Sequence, residues 1–243
     1  RSSGCCLETA VSVMLSGARP LAAAALAMRS RIAARAAAMS EGTLMRSVHG
    51  LAATAARLNR EAGAPALPSL HFFTDPARTP DPEAVARRLP RGTAVVYRHF
   101  GAPEREHVAR RLSQICRSRG LFLLIVADAA LAKACGADGV HWPERLLPAR
   151  RGDAFRIVTA AAHDAKAVTR AGEAGLDACV LSPVFPSASA SAQNELGLFS
   201  ASQIARASAI PVIALGGVTA RNATRLCGRG FAGVAAIDAF LEA

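Results

Sequence analysis

Eight short apolar runs recur between residues 70 and 237, each separated from the next by a stretch of helix-forming or turn-forming residues. They read LHFFT (70–74), AVVYR (94–98), LFLLIVA (121–127), GVHW (139–142), RIVTAA (156–161), ACVLSPV (178–184), PVIALGG (211–217) and GVAAI (233–237). Near-continuous apolar runs without strict alternation belong to parallel strands buried on both faces. Parallel neighbours need crossovers, and the intervening segments supply them: DPEAVARRL, PEREHVARRLSQICRSRG, AALAKACG, a short RLLPARRG, DAKAVTRAGEAG, SASQIARAS and TARNATRLCGRG. Several of these open on Asp, Thr or Ser, which cap helix N-termini, and close on Gly, which ends helices. Only DAFLEA follows the eighth run. The pattern predicts an α/β chain over 67–243, a compact TIM (β/α)8 barrel with a truncated eighth helix.

The first 66 residues differ in composition, with eight Arg against three acids. Within them SGARPLAAAALAMRSRIAARAAAM carries no acid and resembles a transit peptide, or sequence upstream of a start at Met39 or Met45. The expectation is an Ala/Arg-rich extension over 1–43 that is disordered or non-native, then a helix and linker over 44–66. Leu44, Val48, Leu51, Ala55 and Leu58 recur at helical spacing before GAPALP stops the helix. A barrel short of its eighth helix exposes the outer faces of strands 8 and 1. The 44–60 helix is expected to cover that surface or to cap the barrel floor.

Composition narrows the function classes. Hydrophobic residues make up 51% of the chain, yet no apolar run approaches the roughly 20 residues of a membrane span. A soluble protein is expected. The formal charge of +11 rests on 27 Arg, with Lys133 and Lys166 the only lysines. Those arginines are dispersed over many helices and aromatics do not interleave with them, which argues against a nucleic-acid partner. Six cysteines, at positions 5, 6, 116, 135, 179 and 227, form no C-x-x-C pair and read as reduced, buried thiols in a cytoplasmic protein. Whether the chain works alone or as a homo-oligomer is left open.

In barrels of this kind, chemistry is built at the carboxyl ends of the strands, with phosphate commonly held after strands 7 and 8. Gly216 and Gly217 stand there, before a segment expected to open a helix at Thr219. Asp75, Asp128, Glu144 and Asp238 follow strands 1, 3, 4 and 8, while Arg98, His141 and His163 follow strands 2, 4 and 5. Arg98 is the one positive side chain expected at the mouth. Asp75 and Asp128 read equally well as helix N-caps, His141 as a packing residue, and His163 as the flank of a helix start at Asp164.

LHFFTD, GADGVHW (136–142), AAH (161–163), LSPVFPSAS (181–189), PVIALGGV (211–218) and GVAAIDA (233–239) occur in the order and spacing of thiamine phosphate synthase and its TenI-like relatives, the thiazole tautomerases. The chain resembles a divergent member of that superfamily over 70–243. The resemblance implies a small phosphorylated heterocycle as ligand. For the synthase it implies the joining of hydroxymethylpyrimidine pyrophosphate to thiazole phosphate with Mg²⁺, a cofactor expected only if that activity is retained.

Carried over residue by residue, the resemblance meets many replacements. The Gln-x-Arg-x-Lys places after strand 2 hold Val96, Arg98 and Phe100. The Asn-Asp-Arg places after strand 3 hold Val126, Ala127 and Asp128, and a one-residue shift puts Asp128 where the metal Asp belongs. The second metal Asp falls on Leu146, the Ser before the strand-5 histidine on Ala161, the phosphate-loop Lys on Ala190 and the strand-8 Ser on Asp238. Ser187 and Ser189 stand in for the Thr-x-Thr pair. The implied site is then His163, Arg98, Asp128 and Asp238 for catalysis, with Gly216, Gly217, Ser187, Ser189 and His141 on substrate or phosphate. Three activities fit: the synthase, a tautomerase-like isomerase using His163, or a non-catalytic binder of a phosphorylated thiamine precursor.

Overall fold

The computed structural model describes residues 42–187 and 195–241. Its strands follow the predicted runs: β1 (Leu70–Phe73), β2 (Ala94–Tyr97), β3 (Phe122–Val126), β4 (Gly139–Trp142), β5 (Ile157–Ala162), β6 (Ala178–Leu181), β7 (Val212–Ala214) and β8 (Phe231–Ala236). All are parallel and each pairs with the next. β8 returns to β1, setting Leu70 opposite Val234 and Phe72 opposite Ala236. Five strands are shorter than their runs, most of all β6 and β7. β6 stops at Leu181 because Pro183 has no N–H for the ladder, and β7 stops before Leu215, Gly216 and Gly217.

Described helices are α1 (42–61), α2 (Pro82–Ala86), α3 (Arg105–Arg119), α4 (Ala129–Cys135), α5 (Ala165–Glu173) and α6 (Gly197–Ala207). Asp81, Asp128 and Asp164 cap α2, α4 and α5 by accepting from Ala84, Leu131 and Ala167 N–H at 2.9, 2.8 and 2.7 Å. Gly120 and Gly136 close α3 and α4 in the left-handed conformation.

Two expected helices are absent among the described residues. RLLPARRG yields one 3-10 turn at Glu144–Leu146, and TARNATRLCGRG yields another at Ala223–Leu226. In the second, the Asn222 side chain accepts from Thr219 N–H and donates to the Gly217 carbonyl, so a local turn takes the groups a helix would use. Gly228 and Gly230, both at positive φ, then break the chain direction.

The GADGVH motif resolves into packing. Asp138 accepts from Leu123 N–H at 2.8 Å and so ties the foot of β4 to β3. A Cβ on Gly139 would collide with the Ile157 carbonyl of β5, so only glycine fits. Asp177 does on β6 what Asp138 does on β4, accepting from Val158 N–H at 2.7 Å.

Side chains alternate along each strand. Phe73, Val96, Leu124, Val126, Val180, Ile213 and Ala235 fill the barrel interior. On the outer side of β1, Phe72 receives Phe240 edge-on at 5.2 Å between ring centres. Phe240 ends the 3-10 turn Asp238–Phe240, so a single turn sets one buried aromatic over β1. The other expected cover is α1. Asn59 Nδ2 donates to the carbonyls of Ala64 at 2.8 Å and of Ala232 in β8 at 3.3 Å, while Glu61 accepts from Gly228 N–H. Ala52, Ala56 and Asn59 also border a cavity at the barrel floor with Leu70, Thr93 and Phe122. Val48, Leu51, Ala55 and Leu58 are buried.

Cys116, Cys135 and Cys179 are buried free thiols. Burial pushes Cys116 and Cys179 up to about 12, which makes them poor nucleophiles. Among the described residues no helix is long and apolar enough to cross a membrane.

Two histidines lie fully inside the protein. His71, two residues before Phe73 on β1, has no hydrogen-bond partner on either ring nitrogen among the described residues. His141 on β4 shares a hydrogen bond with Thr159 at 2.8 Å and meets Phe73 edge-on. Burial pushes both rings down to about 3, and His71 and Arg98 add to the effect at His141. The unfolded chain therefore binds more protons than the folded one between about pH 6.5 and 3, so stability falls as pH falls through that window.

Each histidine is expected to cost about 1.4 kcal/mol per pH unit there. Urea unfolding of wild type and His71→Leu from pH 7 to 4 reads this directly, and the variant is expected to lose the share of the pH slope that His71 carries, about 1.4 kcal/mol per pH unit. Phe240→Ala empties the pocket over Phe72 and is expected to destabilise the barrel by about 3–5 kcal/mol in the same measurement at pH 7.

Candidate active site

The carboxyl ends of the strands surround a cavity of about 410 Å³. Phe73, Val126, His141, Ala161, Val180 and Leu215 form its apolar floor, and its rim carries Arg78, Arg98, His163, Ser187, Gly216, Gly217 and Asp238. Seven of the nine expected site residues thus line one space. Asp128 does not line it, and Ser189 lies outside the described residues.

Asp128 caps α4 and takes the Arg105 guanidinium at 2.6 Å. The Leu131 N–H, followed by Arg105, holds its carboxyl below the usual carboxylate range. The shift that would make it a metal ligand is therefore not supported by its surroundings. The residue before it, Ala127, is the described non-glycine with positive φ, at 57°. Asp and Asn tolerate that conformation better than Ala.

Leu146, onto which the resemblance sets the second metal Asp, is 47% exposed, and Asp238 is engaged with Arg78. Among the described residues no three His, Cys, Asp or Glu side chains cluster as a metal site. Mg²⁺ is held by hard oxygen ligands, usually including one or two carboxylates beside substrate phosphates. The described residues do not fit that ion.

The loop after β7 is built for close approach. Gly216 and Gly217 have φ of 93° and 61°. A Cβ on Gly216 would strike Pro183, and one on Gly217 would run into the Pro186 carbonyl, so the pair is required by packing against the loop after β6. Asn222, which sequence reasoning passed over, braces the loop through Thr219 N–H and the Gly217 carbonyl. No group among the described residues accepts from the N–H of Gly216, Gly217 or Val218. The helix expected to open at Thr219 is replaced by this braced turn.

His163 stands after β5 with its side chain about half exposed. Its Nδ1 lies 2.8 Å from Glu144 Oε2, and Arg170 donates to the other carboxylate oxygen at 2.7 Å. A carboxylate only accepts, so the neutral ring carries its proton on Nδ1 and leaves Nε2 basic. Asp164 separately caps α5, so the histidine and the cap coexist.

Arg98 is not alone at the mouth. Its Nε donates to the Thr74 carbonyl at 2.8 Å and its Nη2 to Asp75 at 3.2 Å. Burial lowers its pKa, while Asp75 works to raise it. Arg78 joins the same carboxylate at 3.1 Å and reaches Asp238 across the mouth. Burial works to raise the Asp75 carboxyl, but the hydrogen bonds from Arg78 outweigh it and hold the group below its usual range. Arg78 had no sequence signal beyond its place in a turn-like TDPART.

Residues 70–240 match the TMP-TENI family model, described as thiamine monophosphate synthase. The chain is 34% identical over 147 residues to the thiamine-phosphate synthase of Geobacillus kaustophilus, an alignment covering 58% of this chain and 66% of that relative, just under two thirds. It is 30% identical over 184 residues to the putative thiamine-phosphate synthase 2 of Aquifex aeolicus, covering 72% of this chain and 99% of the relative. The solved thiamine phosphate pyrophosphorylase of Pyrococcus furiosus superposes with a TM-score of 0.62 at 26% identity, over 70% of this chain and 85% of that one. With the family match running from β1 through the turn after β8, the chain belongs to TMP-TENI, the thiamine monophosphate synthase family.

Proposed function

We propose that this barrel binds a small phosphorylated heterocycle and moves a proton on it, in the manner of a thiazole tautomerase, rather than joining two substrates as the synthase does. The carrying observation is the Glu144–His163 pair on the rim of a cavity whose charged synthase positions are filled by apolar side chains. Phe100, on the cavity lining, and Leu146, at the places the resemblance gives a Lys and an Asp, are 55% and 47% exposed. An isomerase needs neither of them.

In this reading the N–H groups of Gly216 to Val218, with Ser187, receive the phosphate and fix the ring over the apolar floor. His163 Nε2 takes a proton from one ring position, and the imidazolium returns it at another, so the product is an isomer and nothing is consumed. Glu144 orients the ring and stabilises the imidazolium while it exists. Arg170 holds Glu144 in place. His141, neutral inside the barrel, contributes shape and a hydrogen bond but no charge.

The test is deuterium incorporation from D₂O into a thiazole phosphate, followed by NMR with the full chain. Wild type is expected to exchange, His163→Asn to fall by about 10²–10⁴-fold, and Glu144→Gln to fall by less. Thiamine phosphate formation from both synthase substrates with Mg²⁺ is expected to be negligible. Robust formation would overturn the proposal in favour of the synthase. Tight phosphate-dependent binding without exchange would overturn it in favour of a binding protein.

A further inference from the structure

The two arginines and two aspartates at the mouth form one connected, formally neutral cluster. Arg78 Nη1 donates to both oxygens of Asp238, at 3.3 and 3.1 Å, and its Nη2 donates to Asp75, whose same oxygen also takes Arg98. The carboxylates are held unequally. Asp75 is anchored by the backbone N–H groups of Ala77 and Arg78 at 3.1 and 3.2 Å as well as by both guanidinium groups, and its side chain is 22% exposed. Asp238 has only Arg78 Nη1 among the described residues, and its side chain is 50% exposed.

Asp238 is thus the member that can leave. Half of the side chain already meets water, so its departure completes its hydration, and it frees Arg78 Nη1, the outer arm of the guanidinium fork, on the rim of the cavity while Nη2 stays on Asp75. An oxyanion such as a phosphate can take the two N–H groups of Nη1 as the carboxylate does. Exchange of one for the other conserves the number of charge-assisted hydrogen bonds on Arg78.

We infer that Asp238 is a built-in competitor for the ligand's oxyanion at Arg78, so that the Arg78–Asp238 pair sets how tightly, and for which anions, the mouth binds. This rests on the reading that the cavity takes a phosphate. An anion that reaches the fork displaces Asp238 and gains Arg78. A neutral analogue leaves the pair closed and gains nothing from it.

The experiment is calorimetric titration of the full chain with inorganic phosphate and pyrophosphate, for wild type, Asp238→Asn, Arg78→Gln and the double variant, with thermal melts to confirm folding. Arg78→Lys, which keeps the charge and loses the fork, serves if Arg78→Gln does not fold. Asp238→Asn is expected to bind phosphate about five-fold more tightly and Arg78→Gln about five-fold more weakly. In the Arg78→Gln background, the Asn substitution is expected to bring no further gain. Equal binding by wild type and Asp238→Asn would overturn the competitor role while leaving the phosphate reading in place. A gain of the same size with and without Arg78 would also overturn it, since plain relief of repulsion would then suffice. Failure of every variant to bind either anion would bring down the phosphate reading itself, and the inference with it.

Discussion

The pairing of β8 with β1 is the contact on which the rest depends. It satisfies the backbone of two strands that would otherwise be open edges, and closes a sheet whose interior has to be filled by side chains alone. It also makes the mouth. Arg78 follows β1 and Asp238 follows β8, 160 residues apart in the chain, and they meet only because the two strands are neighbours. The same closure demands a cover for the outer face of β1, which Phe240 supplies in one turn.

At the mouth, charge has been reorganised rather than removed. Phe100 and Leu146, which the resemblance sets at the places of a Lys and an acid, are exposed apolar side chains. The remaining arginines are neutralised in place: Arg105 by Asp128, Arg78 and Arg98 by Asp75 and Asp238. Guanidinium groups beside a low-dielectric floor bind best when their partners are fixed, and here each has a carboxylate within hydrogen-bond reach. On the proposed reading, anion binding at this mouth draws on backbone N–H groups and on exchange at Arg78, not on a standing excess of positive charge.

Much of this was legible along the chain. The eight runs located the strands to within a few residues, because burial on both faces leaves so few polar positions inside a parallel strand. Asp81, Asp128 and Asp164 were recognisable as caps, since a helix N-terminus asks for an acceptor at that one place. His163 and the glycine pair were found because the barrel topology says where strand ends go. The connection after β7 was misread as a helix: its residues are compatible with one, and only the competing hydrogen bonds of Asn222 decide against it.

What the sequence by itself determined is therefore the barrel, its order of strands, and the set of residues that stand near the mouth, since these follow from local periodicity and from the rule that parallel strands cross over. Tertiary structure alone decided what those residues do. The side chain of Asp128 turns to Arg105 and its helix, Glu144 turns to His163, and Arg78 spans from Asp75 to Asp238. Each outcome depends on distances between strand ends that are remote in the chain, and those distances exist only once the ring of eight strands is closed.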